Sequence, residues 1–295
     1  MMMESAIASI DRQDWLERTA GAVQPLVTNT FRAGGMAGQK LKNLLHGVWL
    51  GHPLHPALTD VPIGAWTVAL VFDVMTENNG RRECSRAAET AVAVGLAGAA
   101  AAAVAGLTDW SDTNGRARRI GMMHGLLNVG ATALYGASLW LRRRARHRAG
   151  RNLAYAGYAV SMASAYLGGH MISGEQVGVN HTAAQRLPRA FTPVMPERDL
   201  PEGELRRAEA DGVPVLLVRC GGEIYALAET CAHMGGPLAE GDLIDGSVRC
   251  PWHGSRYRLE DGRVLDGPST FSQPCFETRL RDGQIEVRAA SGVCG

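Results

Sequence analysis

The chain has 295 residues, a formal net charge of +1 and 20% charged residues. That length favours two domains, and so even a charge balance leaves no electrostatic footprint for nucleic acid. The balance hides an asymmetry: charge crowds the C-terminal third, whereas residues 57–172 are dominated by Ala, Gly, Val and Leu. Residues 1–50 contain no apolar run typical of a cleavable signal, because Asp11, Arg12, Asp14, Glu17 and Arg18 interrupt them. Ile7, Ile10, Trp15 and Leu16 fall among those charges, and Lys40-Leu41-Lys42-Asn43-Leu44-Leu45 is basic and amphipathic. With Trp15 and Trp49, this predicts amphipathic helices lying at a membrane interface, or a soluble hairpin packed on the next domain.

The stretch Gly51-His52-Pro53-Leu54-His55-Pro56 reads as an ordered turn. A first apolar segment follows at about Ala57–Met75, with Thr59 or Asp60 as its cap, Pro62 in its first turn and Asp73 at its far end. The second, Ala91–Leu107, is rich in Ala and Gly, which permits close helix contact in lipid. The third, Ile120–Leu141, carries His124 and Asn128; the fourth, Leu153–Ile172, carries His170. Each approaches the ~20 residues that span a bilayer, so four transmembrane helices are expected. The region resembles a family of four-helix bacterial membrane domains, the DUF2231 type, through its H-P-L-H-P and T-D-x-P-I-G opening. That resemblance implies topology, not activity. On an up-and-down path His52, His55, His124 and His170 fall towards one side. Ionisable residues in membrane helices mark functional sites, so these four form a candidate second redox site for haem b, another metal or a quinone, with His124 and His170 as the axial pair and His55 in reserve. The null is that they cap helix ends. No broken-helix repeat or paired intramembrane charge speaks for transport.

After a linker the period becomes two-fold. Pro214–Arg219 and Glu223–Leu227 form a hairpin through Gly221-Gly222. Ser247–Cys250, Arg256–Leu259 and Gln284–Val287 are further strands, with turns at Asp261-Gly262 and Asp282-Gly283. Within this β region stand Cys231-Ala232-His233 and Cys250-Pro251-Trp252-His253, a C-x-H and a C-x-x-H separated by sixteen residues. A zinc site or a Cys231–Cys250 disulfide would use the same residues. Zinc sites rarely take C-x-H as one half, and the glycines that follow, Gly235-Gly236 and Gly254, let backbone close around an inorganic core. The pair of loops resembles the Rieske [2Fe-2S] domain. The resemblance implies that Cys231, His233, Cys250 and His253 ligate the cluster. It further implies that Ser255 donates to a bridging sulfide and Tyr257 to a cysteine ligand, which places the potential in the upper part of the Rieske range. Quinol-oxidising members carry an extra cysteine pair; Gly236 and Trp252 stand there instead. Cys84, Cys220, Cys275 and Cys294 show no paired spacing, so no disulfide framework is expected.

The expected architecture is an α+β multidomain chain: interfacial helices over 1–50, a four-transmembrane-helix bundle over 51–175, a linker over 176–190 and a small antiparallel β Rieske domain over 191–290. The expected role is membrane-anchored one-electron transfer, an electron-transfer component rather than an enzyme alone. Its partners would be the lipid membrane and a reductase, oxygenase or oxidase, or a quinone. Alternatives are a ferredoxin-like component of an oxygenase or reductase system, or a redox sensor. The location would be a bacterial cell membrane, multi-pass. For sidedness, Arg81, Arg82, Arg86, Arg142, Arg143, Arg144, Arg146, Arg148 and Arg151 oppose Lys40, Lys42, Arg116, Arg118, Arg119, Arg186 and Arg189. That count leans towards an external β domain, whereas unpaired cysteines suit a reducing cytosol.

Overall fold

The computed structural model describes residues 2–79 and 82–290. Arg81 and Cys294, both used above, lie outside the described residues, as does the Arg82 side chain. The chain divides into two compact units, Met1–Gly38 with Leu54–Gln176, and Gln39–Pro53 with Val177–Gly295.

The first unit is helical. α1 (Met2–Asp11) and α2 (Asp14–Ala33) precede α3 (Gly35–His46), and then come α4 (Leu54–Asn79), α5 (Arg82–Trp110), α6 (Gly115–Arg143) and α7 (His147–Ser173). The last four contain the four apolar segments. Among the described residues only α4 and α5 combine length with sustained hydropathy enough to cross a membrane; α6 and α7 are as long but more polar. Exposed apolar side chains stand on α4 (Val68, Val71), α5 (Val104) and α6 (Leu126, Val129). α4 starts at Leu54 and not at the expected cap. Pro56 is tolerated in its first turn, where no intrahelical donor is required, and Thr59 Oγ1 bonds back to Pro56 O at 2.7 Å.

Small residues make α4 and α5 fit. A Cβ on Gly95 would stand 2.2 Å from Trp66 Nε1, and one on Gly106 would stand 2.6 Å from His55 Cε1. Trp66 in turn stacks on Tyr135 of α6, with ring centroids 4.0 Å apart. Leu16 and Ala20 of α2 are buried with Trp110 and Met122, and Ile7 of α1 is buried with Ile120 and Leu167. The apolar side of α1 and α2 is therefore spent on the bundle, which corrects the reading of Ile7 and Leu16 as surface-lying.

A buried ion pair links α4 to α6. Arg142 donates to both Asp73 oxygens, at 2.9 and 2.5 Å, and its Nε donates to Ser138 Oγ at 3.1 Å. Both side chains are at most 2% exposed. The sequence reading saw no such pair, because the partners lie 69 positions apart.

The second unit is built on two antiparallel sheets. β1 (Thr192–Pro196), β2 (Leu205–Ala210), β3 (Val213–Cys220), β4 (Glu223–Ala228), β9 (Cys275–Arg281) and β10 (Gln284–Ala289) form one, in the order β1-β10-β9-β4-β3-β2. β5 (Asp242–Ile244), β6 (Ser247–Arg249), β7 (Arg256–Arg258) and β8 (Val264–Asp266) form the other, in chain order. Asp211-Gly212, Gly221-Gly222, Asp245-Gly246 and Asp282-Gly283 each close a two-residue hairpin with both residues at positive φ, the geometry that suits the right-handed strand twist.

β3 is buried on both faces. Val215 and Leu217 pack with Ala226, Phe276, Ile285 and Val287, while Leu216 and Val218 pack with Leu227, Cys231, Val248, Cys250 and Tyr257. Period-two alternation thus feeds two cores from one strand. The C-terminal half of α3 and the 3₁₀ turn Val48–Leu50 also belong to this unit. Asn43 Nδ2 donates to Asp266 Oδ1 at 2.9 Å, and its Oδ1 accepts from Gly267 N at 3.0 Å. Val48 packs on the β core. This anchoring corrects the expectation that all of residues 1–50 simply lie on a surface.

Arg142→Met strands a buried carboxylate and is expected to destabilise the helical unit by about 3–5 kcal/mol, whereas removing both charges in Asp73→Leu/Arg142→Met recovers most of the loss. Thermal unfolding of the detergent-purified protein checks this ordering.

Candidate metal centre

Two loops of matching construction meet at one end of the β unit. In the first, Cys231 N donates to Gly236 O at 2.8 Å and Gly235 N donates to Cys231 O at 2.9 Å. In the second, Cys250 N donates to Ser255 O at 2.9 Å and Gly254 N to Cys250 O at 3.1 Å. Each loop therefore closes on its cysteine through the fourth and fifth residues beyond it. Gly235 and Gly254 supply the left-handed turns, at φ +75° and +80°. Gly236 leaves room: a Cβ there would lie 2.9 Å from Cys250 Sγ and 3.0 Å from Trp252.

The four donors arrive as two like pairs. Cys231 and Cys250 are 1% and 3% exposed, free of any disulfide, and hydrogen-bonded to one another. His233 and His253 are half-buried, with ring centroids 4.9 Å apart and planes at 84°. Sulfur lies inward and nitrogen outward.

The environment of the thiols is shaped from behind. Tyr257, fully buried, places its hydroxyl 3.1 Å from Cys231 Sγ. Burial and then the neighbouring Cys231 hold that phenol well above its usual range, so it stays a donor. The bond from Cys231, helped by the backbone N–H groups of Trp252 and His253, brings Cys250 down to about 7; the same bond and burial push Cys231 up. Ser255 Oγ accepts from Ser269 N at 3.0 Å, which leaves its own proton for another acceptor.

Comparison with known proteins decides the family. The Rieske [2Fe-2S] domain model matches residues 190–277, and the model described as a predicted membrane protein, DUF2231, matches residues 51–185. The ferredoxin component of biphenyl 2,3-dioxygenase from Rhodococcus jostii is 31% identical over 104 residues, which is 35% of this chain and 97% of that one. The chain belongs to the Rieske [2Fe-2S] family. Apoptosis-inducing factor 3 of Mus musculus is 38% identical over 93 residues, 32% of this chain but only 15% of the relative's length. Among solved structures, the ferredoxin of carbazole 1,9a-dioxygenase from Nocardioides aromaticivorans is similar at 22% identity and a TM-score of 0.33, covering 34% of this chain and 99% of that one.

The Rieske domain implies a [2Fe-2S] cluster, and the residues present fit one. Two inward thiols suit one iron and two outward imidazoles suit the other. Gly236 and Trp252 stand side by side, so an indole occupies the place expected of an extra disulfide.

Gln273 was not legible in the sequence. It is fully buried. Its Oε1 accepts from Ala232 N at 3.0 Å, and its Nε2 donates to Ala228 O at 2.7 Å and Thr230 O at 2.5 Å. It therefore fixes the first loop to the end of β4. Gly262 makes room for it, since a Cβ there would strike Gln273 O. Among the described residues Cys84, Cys220, Cys231 and Cys250 are free of any disulfide.

The remaining histidines group differently from the expectation. His124 does not pair with His170. His170 contacts Glu175 at 3.3 Å near the end of α7. His124 meets His55, at 6.3 Å between centroids and 83° between planes. Its Nδ1 donates to Ser164 O at 2.8 Å and its Nε2 accepts from Asn128 at 3.0 Å. Both ring nitrogens are thus used, which is the physical reason an axial role for His124 does not fit this arrangement. His55 Nδ1 donates to Ala102 O at 2.8 Å. His52 belongs to the other unit, edge-on to Phe271 at 6.3 Å.

Tyr257→Phe removes a donor that favours the more negative reduced state. A loss of about 1 kcal/mol corresponds to a midpoint potential lower by about 45 mV for one electron, read by redox titration. Gln273→Leu orphans the Ala232 amide and is expected to cost about 1–3 kcal/mol of stability in denaturant unfolding of the cluster-loaded protein.

Proposed function

We propose that this chain is a membrane-anchored Rieske electron carrier, with Cys231 and Cys250 holding one iron and His233 and His253 the other. The observation that supports it best is the sorting of donors: two buried thiols behind, two half-exposed imidazoles in front. When bound, a cluster of this kind accepts and returns one electron at a time. The chain's own residues shape that exchange. Tyr257 lies in donor position to the Cys231 sulfur, and Ser255, whose proton is not used by Ser269, would have it available for a cluster; hydroxyl donors of this kind would raise the potential. Trp252 and the two imidazoles form the face towards a redox partner. Trp252 is 55% exposed, with its ring 6.4 Å from that of His253.

The membrane reading assigns α4 to α7 as four transmembrane helices. Residues 39–53 and 177–290 fold into one unit although the bundle separates them in sequence. The chain then enters and leaves the bundle on one side, as an even number of crossings requires. Its domains are then a membrane bundle that α1 and α2 complete, a linker, and a Rieske domain that takes in residues 39–53. We assign the Rieske domain to the external face of a bacterial cell membrane. The arginine count leans that way.

The partner is a redox protein, a reductase, oxygenase or oxidase; the Rhodococcus relative named above is a ferredoxin component of a dioxygenase. A second reading, exchange with a quinone, is favoured by the His55–His124 pair. Both rings give a proton to a backbone carbonyl of a neighbouring helix, and His55 keeps Nε2 for a ligand.

Cys231→Ser and Cys250→Ser are each expected to abolish or severely reduce bound iron and acid-labile sulfide; a full complement in either variant contradicts the ligand assignment. Protease treatment of intact spheroplasts is expected to cleave the Rieske domain, and full protection contradicts the external assignment.

A further inference from the structure

The Rieske unit carries a groove of about 670 Å³ that the cluster chemistry does not use. One wall is Lys40, Asn43, Leu44, Trp49 and Leu50; the other includes Arg263 and the hydroxyls of Thr270 and Ser272. Asn43 ties the walls together through Asp266 and Gly267. Trp49 is 65% exposed, yet its indole is fixed, because Nε1 donates to Leu44 O at 3.2 Å. Leu44 and Leu50 are exposed beside it. Lys40 and Arg263 are both exposed; neither has a carboxylate within ion-pair distance among the described residues, although the Arg263 charge is felt at Asp261. An exposed indole and leucines beside two exposed cations, in a groove also lined by Thr270 and Ser272, suit a ligand with an anionic head and an apolar body.

Chain position selects among such ligands. Gly51 is three residues before Leu54, the first residue of α4, and three residues span at most about 11 Å. If α4 crosses a bilayer, chain length alone keeps the Gly51 edge of the groove within that reach of the headgroup level. We propose that this groove binds the headgroup of an acidic phospholipid, with Lys40 and Arg263 flanking the phosphodiester and Trp49 and Leu50 against the upper acyl chain. The proposal rests on the membrane reading of α4. It adds a consequence for the cluster domain. The wall residues 263–272 lie in the segment that holds Ser255 through Ser269 and continues into Gln273, so a bound lipid braces the segment that supports both cluster loops.

Native mass spectrometry of the full chain in non-ionic detergent, with equal phosphatidylglycerol and phosphatidylcholine, tests it. Wild type should retain phosphatidylglycerol preferentially. Each cation near an anionic surface is worth about fivefold, so Lys40→Gln/Arg263→Gln should lose about 25-fold of that preference while keeping its iron content. Arg263→Gln alone, the milder variant, should lose about fivefold. Trp49→Ala should weaken retention of both lipids alike. An unchanged preference in the double variant overturns the proposal. Displacement of the lipid by millimolar inorganic phosphate overturns it in favour of a soluble anion, and no lipid retention with capture of an acidic protein overturns it in favour of a protein partner. Failure of the membrane reading shows separately, as release of the chain from cell membranes by high salt without detergent.

Discussion

Everything at the loop end of the Rieske domain depends on holding two cysteine sulfurs out of water without leaving them unmet by hydrogen bonds. A buried thiolate is costly unless hydrogen bonds meet it. Here the meeting groups are supplied in pairs. Two loops of equal construction present Cys231 and Cys250 to each other, backbone amides of the second loop point to Cys250, and the Tyr257 hydroxyl meets Cys231. The imidazoles need no such shelter and stand at the surface. The same arrangement explains why the domain has two sheets. The longer one supplies Leu216, Val218 and Leu227 as a floor, and the shorter one carries Cys250 and Tyr257 over it.

The two loops and their turn glycines were readable because each loop is local: a cysteine, its histidine and its turn glycine lie within six residues. The Tyr257 hydroxyl beside Cys231 lies on the strand that the second loop leads into. Gln273 was not readable, because its partners Ala228, Thr230 and Ala232 lie more than forty positions away and a lone glutamine carries no pattern. The packing of Asn43 and Val48 on the Rieske domain was hidden likewise. A basic amphipathic segment looks the same whether its apolar side meets lipid or a protein core.

Helix positions followed from apolar runs, while boundaries did not. α4 starts earlier than its expected cap, because Pro56 in a first turn does not stop a helix. The histidine pairing was missed for a geometric reason. The up-and-down path gives depth along a helix axis but not rotation about it, and rotation brings His124 to His55 and not to His170. The Asp73–Arg142 pair was missed in the same way: each looked like a lone charge near a helix end, and only the packing of α4 on its neighbours joins them.

The central claim is that two histidines and two cysteines divide between the irons. Electron–nuclear double resonance of the reduced protein, grown with ¹⁵N-labelled histidine, tests it most directly. The account predicts couplings from two histidine nitrogens, with one lost in each of His233→Cys and His253→Cys. An iron signal without histidine nitrogen coupling, or a stoichiometric zinc ion in place of iron and sulfide, would contradict it.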